Sequence, residues 1–259
     1  MLPQFFTFVI HGRYLRLSTM HKLNSLILTT LLLLTSNLAF SGNINLIPIN
    51  AKFETTTCDL PCNHSANQIK TQWWLLRHHQ QVETRKDGSN NSQLWLKSAE
   101  NQLSYFYMLH DEKRAIEYAA VDLNMLGIAT NQSKWQTVTS LIAEADLANM
   151  KKNQTEQKYE TYQLAHYSGF LNGIQTEVLW VAELQIPLQI SYTTTKQRVT
   201  IDLINRYNEN LPIQATTQQT LMTYQQVDYS DIGDIEHSST SAKWLDKVDG
   251  APGINSHQH

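Results

Sequence analysis

Cys58 and Cys62 are the only cysteines in the chain, and His64 follows them in the run Cys-Asp-Leu-Pro-Cys-Asn-His. Thiolate and imidazole are ligands that suit Cu(I) and Zn, so Cys58, Cys62 and His64 could hold copper or zinc, or do redox chemistry. The simpler chemistry is a short disulfide, which in an oxidising compartment would stabilise the fold by about 2 kcal/mol on chain-entropy grounds. The disulfide is the expectation, with a metal-handling accessory role as its alternative.

Other polar clusters carry less. His78 and His79 are adjacent on an expected strand, so they point to opposite faces and cannot share a metal. Asp228, Asp231, Asp234, Glu236 and His237 crowd around Gly233. Oxygen-rich loops bind Ca²⁺, but this spacing departs from the EF-hand loop, and solvated caps and turns are expected. His237, His257 and His259 give a His-bearing end that could take Zn²⁺ or Cu²⁺ weakly. His110 and His166 have no carboxylate near them in sequence. Nucleophile elbows, zinc-protease helices, phosphate loops and dinucleotide fingerprints are all missing from the sequence. The expectation is a non-enzymatic protein with no catalytic residue, no metal site and no cofactor.

The aromatic residues are the stronger signal. Trp73, Trp74, Trp95, Tyr105, Phe106, Tyr107 and Trp180 fall in runs that read as strands. They are either core or, in part, the wall of a site for an acyl chain or an extended peptide. On the second reading the ligand-binding set is Trp73, Trp74, Trp95, Tyr105, Tyr107 and Trp180. Trp73 and Trp74 must point to opposite faces of a strand, and both are expected to be largely buried by a curved sheet.

The elements that position them are read from periodicity. A long strand is expected from Gln72 to Arg85, buried at Trp73-Trp74-Leu75-Leu76 and solvated from Arg77 onward. Strands follow at Leu94–Leu96, Leu103–Leu109 and Arg114–Tyr118, giving an antiparallel meander. Val121–Gly127 is a short candidate helix. A longer one starts at a Ser133–Gln136 capping box, with Trp135, Val138, Leu141, Ile142 and Ala145 at helical spacing. It is expected to pack Trp135 on the sheet. Strands return around Tyr162–Ala165, Val178–Leu184, Ile186–Tyr192 and Val199–Leu203, with a turn at Gly169/Gly173. Pro187 suits a strand start or an edge. Eight to ten strands and one or two helices make an α+β protein that is mainly antiparallel β, a strongly curved sheet or half-barrel with helices packed on it.

The chain's beginning gives the compartment. His21 and Lys22, the apolar run Leu26–Leu34, and Ala39-Phe40-Ser41 have the three parts of a secretory signal peptide. Cleavage is expected after Ser41, and Met20 suits an initiator better than Met1. Of 259 residues, about 218 would remain in the mature protein. The expected organisation is signal peptide 1–41, an N-terminal segment 42–70 with Cys58 and Cys62, a curved β domain 71–236 and a polar tail 237–259 that is loose beyond a Trp244 anchor. With 20 basic against 23 acidic residues, the chain offers no basic surface for nucleic acid.

The order of meander, helical insert and returning strands carries a resemblance. Tyr162…Trp180…Leu184…Ile186-Pro187-Leu188…Val199-Thr200-Ile201…Asn208-Glu209-Asn210-Leu211-Pro212 resembles the later strands of the lipoprotein-carrier fold. That family includes the periplasmic carrier of outer-membrane lipoproteins, its membrane receptor and a sigma-factor regulator. The resemblance spans about residues 66–225 and is one of pattern, so no functional residue is carried over. The family opens with an amphipathic helix, where Ala66–Lys70 is short and polar. The resemblance implies a helix-covered half-barrel with an apolar cavity. The resulting expectation is an exported, periplasmic, non-enzymatic envelope protein. It would hold a hydrophobic small molecule, a lipoprotein segment or a peptide, with other envelope proteins as partners.

Overall fold

The computed structural model describes residues 46–62, 68–208, 211–236 and 242–254. The signal-peptide reading, His64, His237, His257 and His259 lie outside these residues.

The chain forms one large, curved, mostly antiparallel sheet of thirteen strands with short helices, an α+β protein as its alternation predicts. It begins with β1 (Ile49–Asp59), so the segment expected to precede the β domain is part of the sheet. Ile49, Ala51 and Phe53 are buried in β1 while Asn50, Lys52 and Glu54 are not, the period-2 pattern of a sheet with two unlike faces. The expected long strand 72–85 is instead a hairpin, β2 (Gln68–His78) and β3 (Gln81–Lys86), because the polar run at His79 and Gln80 turns the chain. Arg77, expected in solvent, is fully buried. The meander continues through β4 (Asn91–Lys97), β5 (Leu103–Leu109) and β6 (Arg114–Tyr118).

Three helices follow. α1 (Ala120–Met125) ends at Gly127, whose φ of 71° suits the left-handed exit that glycine adopts without strain. The longer helix is broken in two, α2 (Gln132–Ser140) and α3 (Glu144–Ala148). Its cap is Asn131, whose Oδ1 accepts the Lys134 N–H at 2.9 Å, and not Ser133. It stops where Leu141 turns left-handed at φ 64°. Five short α-helices thus stand among the described residues in place of the expected one or two.

The chain then returns as β7 (Lys151–Asn153), β8 (Lys158–Tyr159), β9 (Tyr162–Leu171), β10 (Ile174–Val181), β11 (Ile186–Thr193) and β12 (Gln197–Tyr207). Gly169 lies inside β9 and not at the turn. A Cβ there would come within 3.2 Å of Met150, so the glycine lets that residue approach. Pro187 is the second residue of β11, where the ladder with β10 slips past Leu179/Trp180. β12 pairs with β1, joining the two halves. Residues 211–224, with α4 (Gln218–Met222), then cross to the first half. There β13 (Gln225–Asp228) adds to β6 in parallel. The strand order is β13-β6-β5-β4-β3-β2-β1-β12-β11-β10-β9-β7, with β8 also on β9.

The acidic run enters a 3₁₀ turn at Tyr229–Asp231 and α5 (Ile232–Glu236), the helical caps that solvated carboxylates suit. The segment read as a loose tail is docked as far as Pro252. Trp244, Val248 and Ala251 are buried, and the Tyr107 and Tyr118 hydroxyls donate to the carbonyls of Asp249 and Pro252 at 2.6 and 2.9 Å. No helix among the described residues is long and apolar enough to cross a membrane.

Candidate functional site

Cross-strand register defines the two faces. On the inner face, Tyr167, Val178, Ile190, Ile201 and Thr55 form one continuous row across five strands. Arg77, Val82, Trp95, Tyr105 and Tyr118 form another. The outer row beside the first is polar apart from Leu179: His166, Leu179, Gln189, Asp202, Glu54 and Gln72.

Five of the six candidate aromatics belong to the inner clusters. Trp95 and Tyr105 lie 4.8 Å apart between ring centres, and Tyr105 and Tyr118 5.1 Å apart. Tyr118 in turn stacks on Tyr229 at 4.7 Å. Lys134 lies over the Trp95 ring and Lys97 over Trp135, so cations cap the aromatic row where it nears water. Tyr107 is in the same core, with Trp135, Leu123 and Trp244 packed into it. Trp73 stacks on Phe53 at 5.0 Å and donates to Thr55 Oγ1 at 3.0 Å. Trp180 joins a neighbouring cluster with Val178, Ile190, Tyr192 and Tyr167.

Trp74 lies on the opposite face. It is buried under Lys52, whose ammonium is 5.2 Å from its ring centre, and beside Tyr207. Its indole N–H donates to Asp87 at 2.8 Å. Trp73 and Trp74 thus point to opposite faces, and polar side chains cover the outer one. Trp74, Trp95, Tyr105 and Tyr107 are buried by the chain itself, while Trp73 and Trp180 remain partly exposed.

Burial pushes the Tyr105 phenol well up, and the neighbouring Tyr118 and Tyr107 add to that, so it stays neutral. Its hydroxyl is buried without a hydrogen-bond partner among the described residues. Tyr192 is pushed up to about 12, again chiefly by burial. None of these phenols is arranged as a base.

Cys58 and Cys62 form a disulfide, which takes both thiolates away from any metal. His78 and His79 form no metal cluster, and the described residues hold no group of three or more potential ligands.

Sequence reasoning missed one polar cluster. On the outer face of β3–β5, the fully buried Glu83 meets Arg85 at 2.5 Å, the Thr216 N–H at 2.6 Å and His110 Nε2 at 3.6 Å. His110 Nε2 is also 2.9 Å from Ser92 Oγ, and its Nδ1 is 2.9 Å from the Tyr224 hydroxyl. These residues lie far apart in the chain, and only the strand register brings them together. Ser92, His110 and a carboxylate invite comparison with a nucleophile relay. In such a relay, however, the carboxylate orients the ring nitrogen that faces away from the serine. Here that nitrogen faces Tyr224, and Ser92 is buried. The cluster clamps the 211–224 strap. Gln81 donates to Thr216 O, and Leu221 fills an apolar patch of Leu94, Phe106, Met108 and Ala115.

Two small clefts open on the surface of the described residues. One, of about 260 Å³, lies over the polar outer row between His166, Glu177, Leu179, Gln189 and the loop at Gln154–Gln157. The other, of about 180 Å³, lies between Pro48–Asn50 and Arg206–Asn208. Neither is lined by the candidate aromatics.

No family model matches the chain, and no curated protein matches it. Among solved structures, two crystal forms of PNGF-II align with 71% of the chain, at 10% and 12% identity and TM-scores of 0.37 and 0.34. The chain spans about a third (32%) of the PNGF-II chain in each. A domain described as an outer membrane lipoprotein-sorting protein, from Vibrio parahaemolyticus, aligns with 61% of the chain and 84% of its own length, at 9% identity and a TM-score of 0.27.

Proposed function

We propose that the protein is an exported, non-enzymatic component of the cell envelope, in the periplasm, and that the less covered half of its inner sheet face holds a hydrophobic ligand. The ligand class is an acyl chain, a lipoprotein segment or an extended apolar peptide. One observation carries this reading. On the inner face Trp73, Trp180, Leu188, Tyr192 and Ile201 are only partly buried, whereas Trp95, Tyr105 and Tyr107 beneath the helices and the C-terminal segment are fully buried. The site is therefore narrower than the six aromatics nominated by the sequence, and is centred on Trp73 and Trp180. The signal-peptide pattern and the Cys58–Cys62 disulfide support an oxidising compartment.

The test is organic extraction of the purified mature protein with mass spectrometry, paired with titration by an environment-sensitive apolar dye. Co-purifying lipid, or saturable dye binding weakened by Trp73→Ala, supports the reading. A protein free of lipid that gives no dye response overturns it.

A further inference from the structure

We propose that the two open edges of the sheet pair with each other between copies of this chain, giving a weak head-to-tail self-association. This rests on the sheet edges alone and stands apart from the ligand reading. β13 ends the strand order on one side, and β7 with β8 lies along the outer side of β9 on the other. Among the described residues, neither edge is covered by a further strand.

The edges carry opposite charge. At β13, Asp228 is exposed, with Asp231 and Asp234 following it, and the Glu117 carboxyl lies opposite Asp228 in the ladder. None of these four makes an ion pair among the described residues, and burial together with Asp228 pushes the Glu117 carboxyl up. Lys113 and Arg114 lie near the start of β13, but the Arg114 guanidinium is turned onto the Trp244 ring. At the other edge, Lys151, Lys152 and Lys158 are exposed, Lys152 lying over the Tyr167 ring; the acidic neighbours are Glu156 in the connecting loop and Glu160, which is paired with Arg206. Like charges on both edges would keep copies apart. Opposite charges remove that protection and favour one pairing, β13 of one copy against β7 and β8 of the next. Such a contact is heterologous, so it does not stop at a dimer unless it closes a ring. The strands are short, so the contact is weak and salt-sensitive.

Sedimentation velocity on the mature protein tests this, with K151E/K158E and D228K/D231K as variants. All four substituted side chains are exposed, and circular dichroism checks that each variant is folded. The wild-type protein is expected to associate with rising concentration at low salt, with a dissociation constant on the order of 100 μM, and to dissociate at high salt. Each variant alone, with two like-charged edges, is expected to remain monomeric, and an equimolar mixture of the two is expected to associate again. A wild-type monomer at all concentrations, association unchanged by either reversal, or a mixture that stays monomeric would each overturn the proposal.

Discussion

Glu83 Oε2 accepts the backbone N–H of Thr216 at 2.6 Å, across 133 residues of chain, and this bond fixes the 211–224 strap to the outer face of the sheet. A buried carboxylate is costly unless its lone pairs are used. Here the cost is met by His110, Arg85 and the Thr216 amide, and the donors and the cation outweigh desolvation.

That balance sets an acid limit. Burial raises the Glu83 pKa, but His110, Arg85 and Thr216 together lower it further, from an ordinary 4.5 to about 2. A carboxylate whose folded pKa is depressed stabilises the fold above its unfolded pKa, and this is lost as pH falls through the folded value. Glu83 should thus contribute about 3 kcal/mol at neutral pH, lost between about pH 4.5 and pH 2. Urea titrations across this range should show stability falling with acid in the wild type and a shallower fall in Glu83→Gln. Identical slopes would show that Glu83 is not the group responsible.

Arg77 has a different task. Its guanidinium is fully buried and has no carboxylate partner among the described residues. It donates to the carbonyls of Ile47, Thr139, Gln185 and Leu184 at 2.6–3.0 Å. It thus ties the start of the described chain, the end of α2 and the β10–β11 turn to β2. Burial lowers its pKa to about 10, still far above neutral, so it remains charged. Arg77→Met should cost about 3–5 kcal/mol, because four carbonyls, those of Thr139 and Leu184 in fully buried bonds, lose their donor. Arg77→Lys should recover only part of this, since an ammonium lacks the planar fork. Chemical denaturation of the two variants measures the difference.

The two halves of the sheet were unequally legible in the sequence. In β9–β12, apolar and polar residues alternate because the inner face is apolar and the outer face is solvated, so each strand was visible. In β2–β5 both faces are buried, the outer one by the strap and, at Trp74, by Lys52, and alternation fails over the four successive buried residues Trp74–Arg77. The hairpin there was therefore read as one strand, and Arg77 was placed in water. β1 went unread because its inward residues include small Ala51 and polar Thr55. The Glu83–His110–Tyr224 clamp left no local signal, because its members meet only through register. The candidate aromatics fall on strands and Trp135 packs into the core beside them, but the polar C-terminal segment gives no sign in sequence that it docks over Tyr107 and Tyr118.

The disulfide offers a smaller effect. Cys58 is the penultimate residue of β1, beside Arg198 of β12, and the Cys58–Cys62 loop is further held by the Leu60 N–H donating to Lys196 O at 2.8 Å. A cross-link over so short a loop removes little freedom from the unfolded chain, about 2 kcal/mol. Cys58→Ser/Cys62→Ser should therefore remain folded and lose about that much stability in a denaturant titration. Failure to fold at all would mean that the loop organises the β1–β12 seam.

The tryptophans separate core from site. Trp95 is buried against Tyr105 and lies under Lys134, with every sign of a structural residue. Trp95→Ala should cost about 3–5 kcal/mol and change dye binding only as far as it unfolds the protein. Trp180 is partly exposed beside Tyr167 and Tyr192, and removing it leaves Val178 and Ile190 to hold that cluster. Trp180→Ala should cost less, about 1–2 kcal/mol, and should weaken apolar dye binding in protein that is still fully folded. The decisive comparison is dye affinity at equal folded fraction, read alongside thermal unfolding. If Trp95→Ala and Trp180→Ala lower stability equally and leave dye affinity unchanged, both rings are core, and the half-covered strip on the inner face is not a binding site.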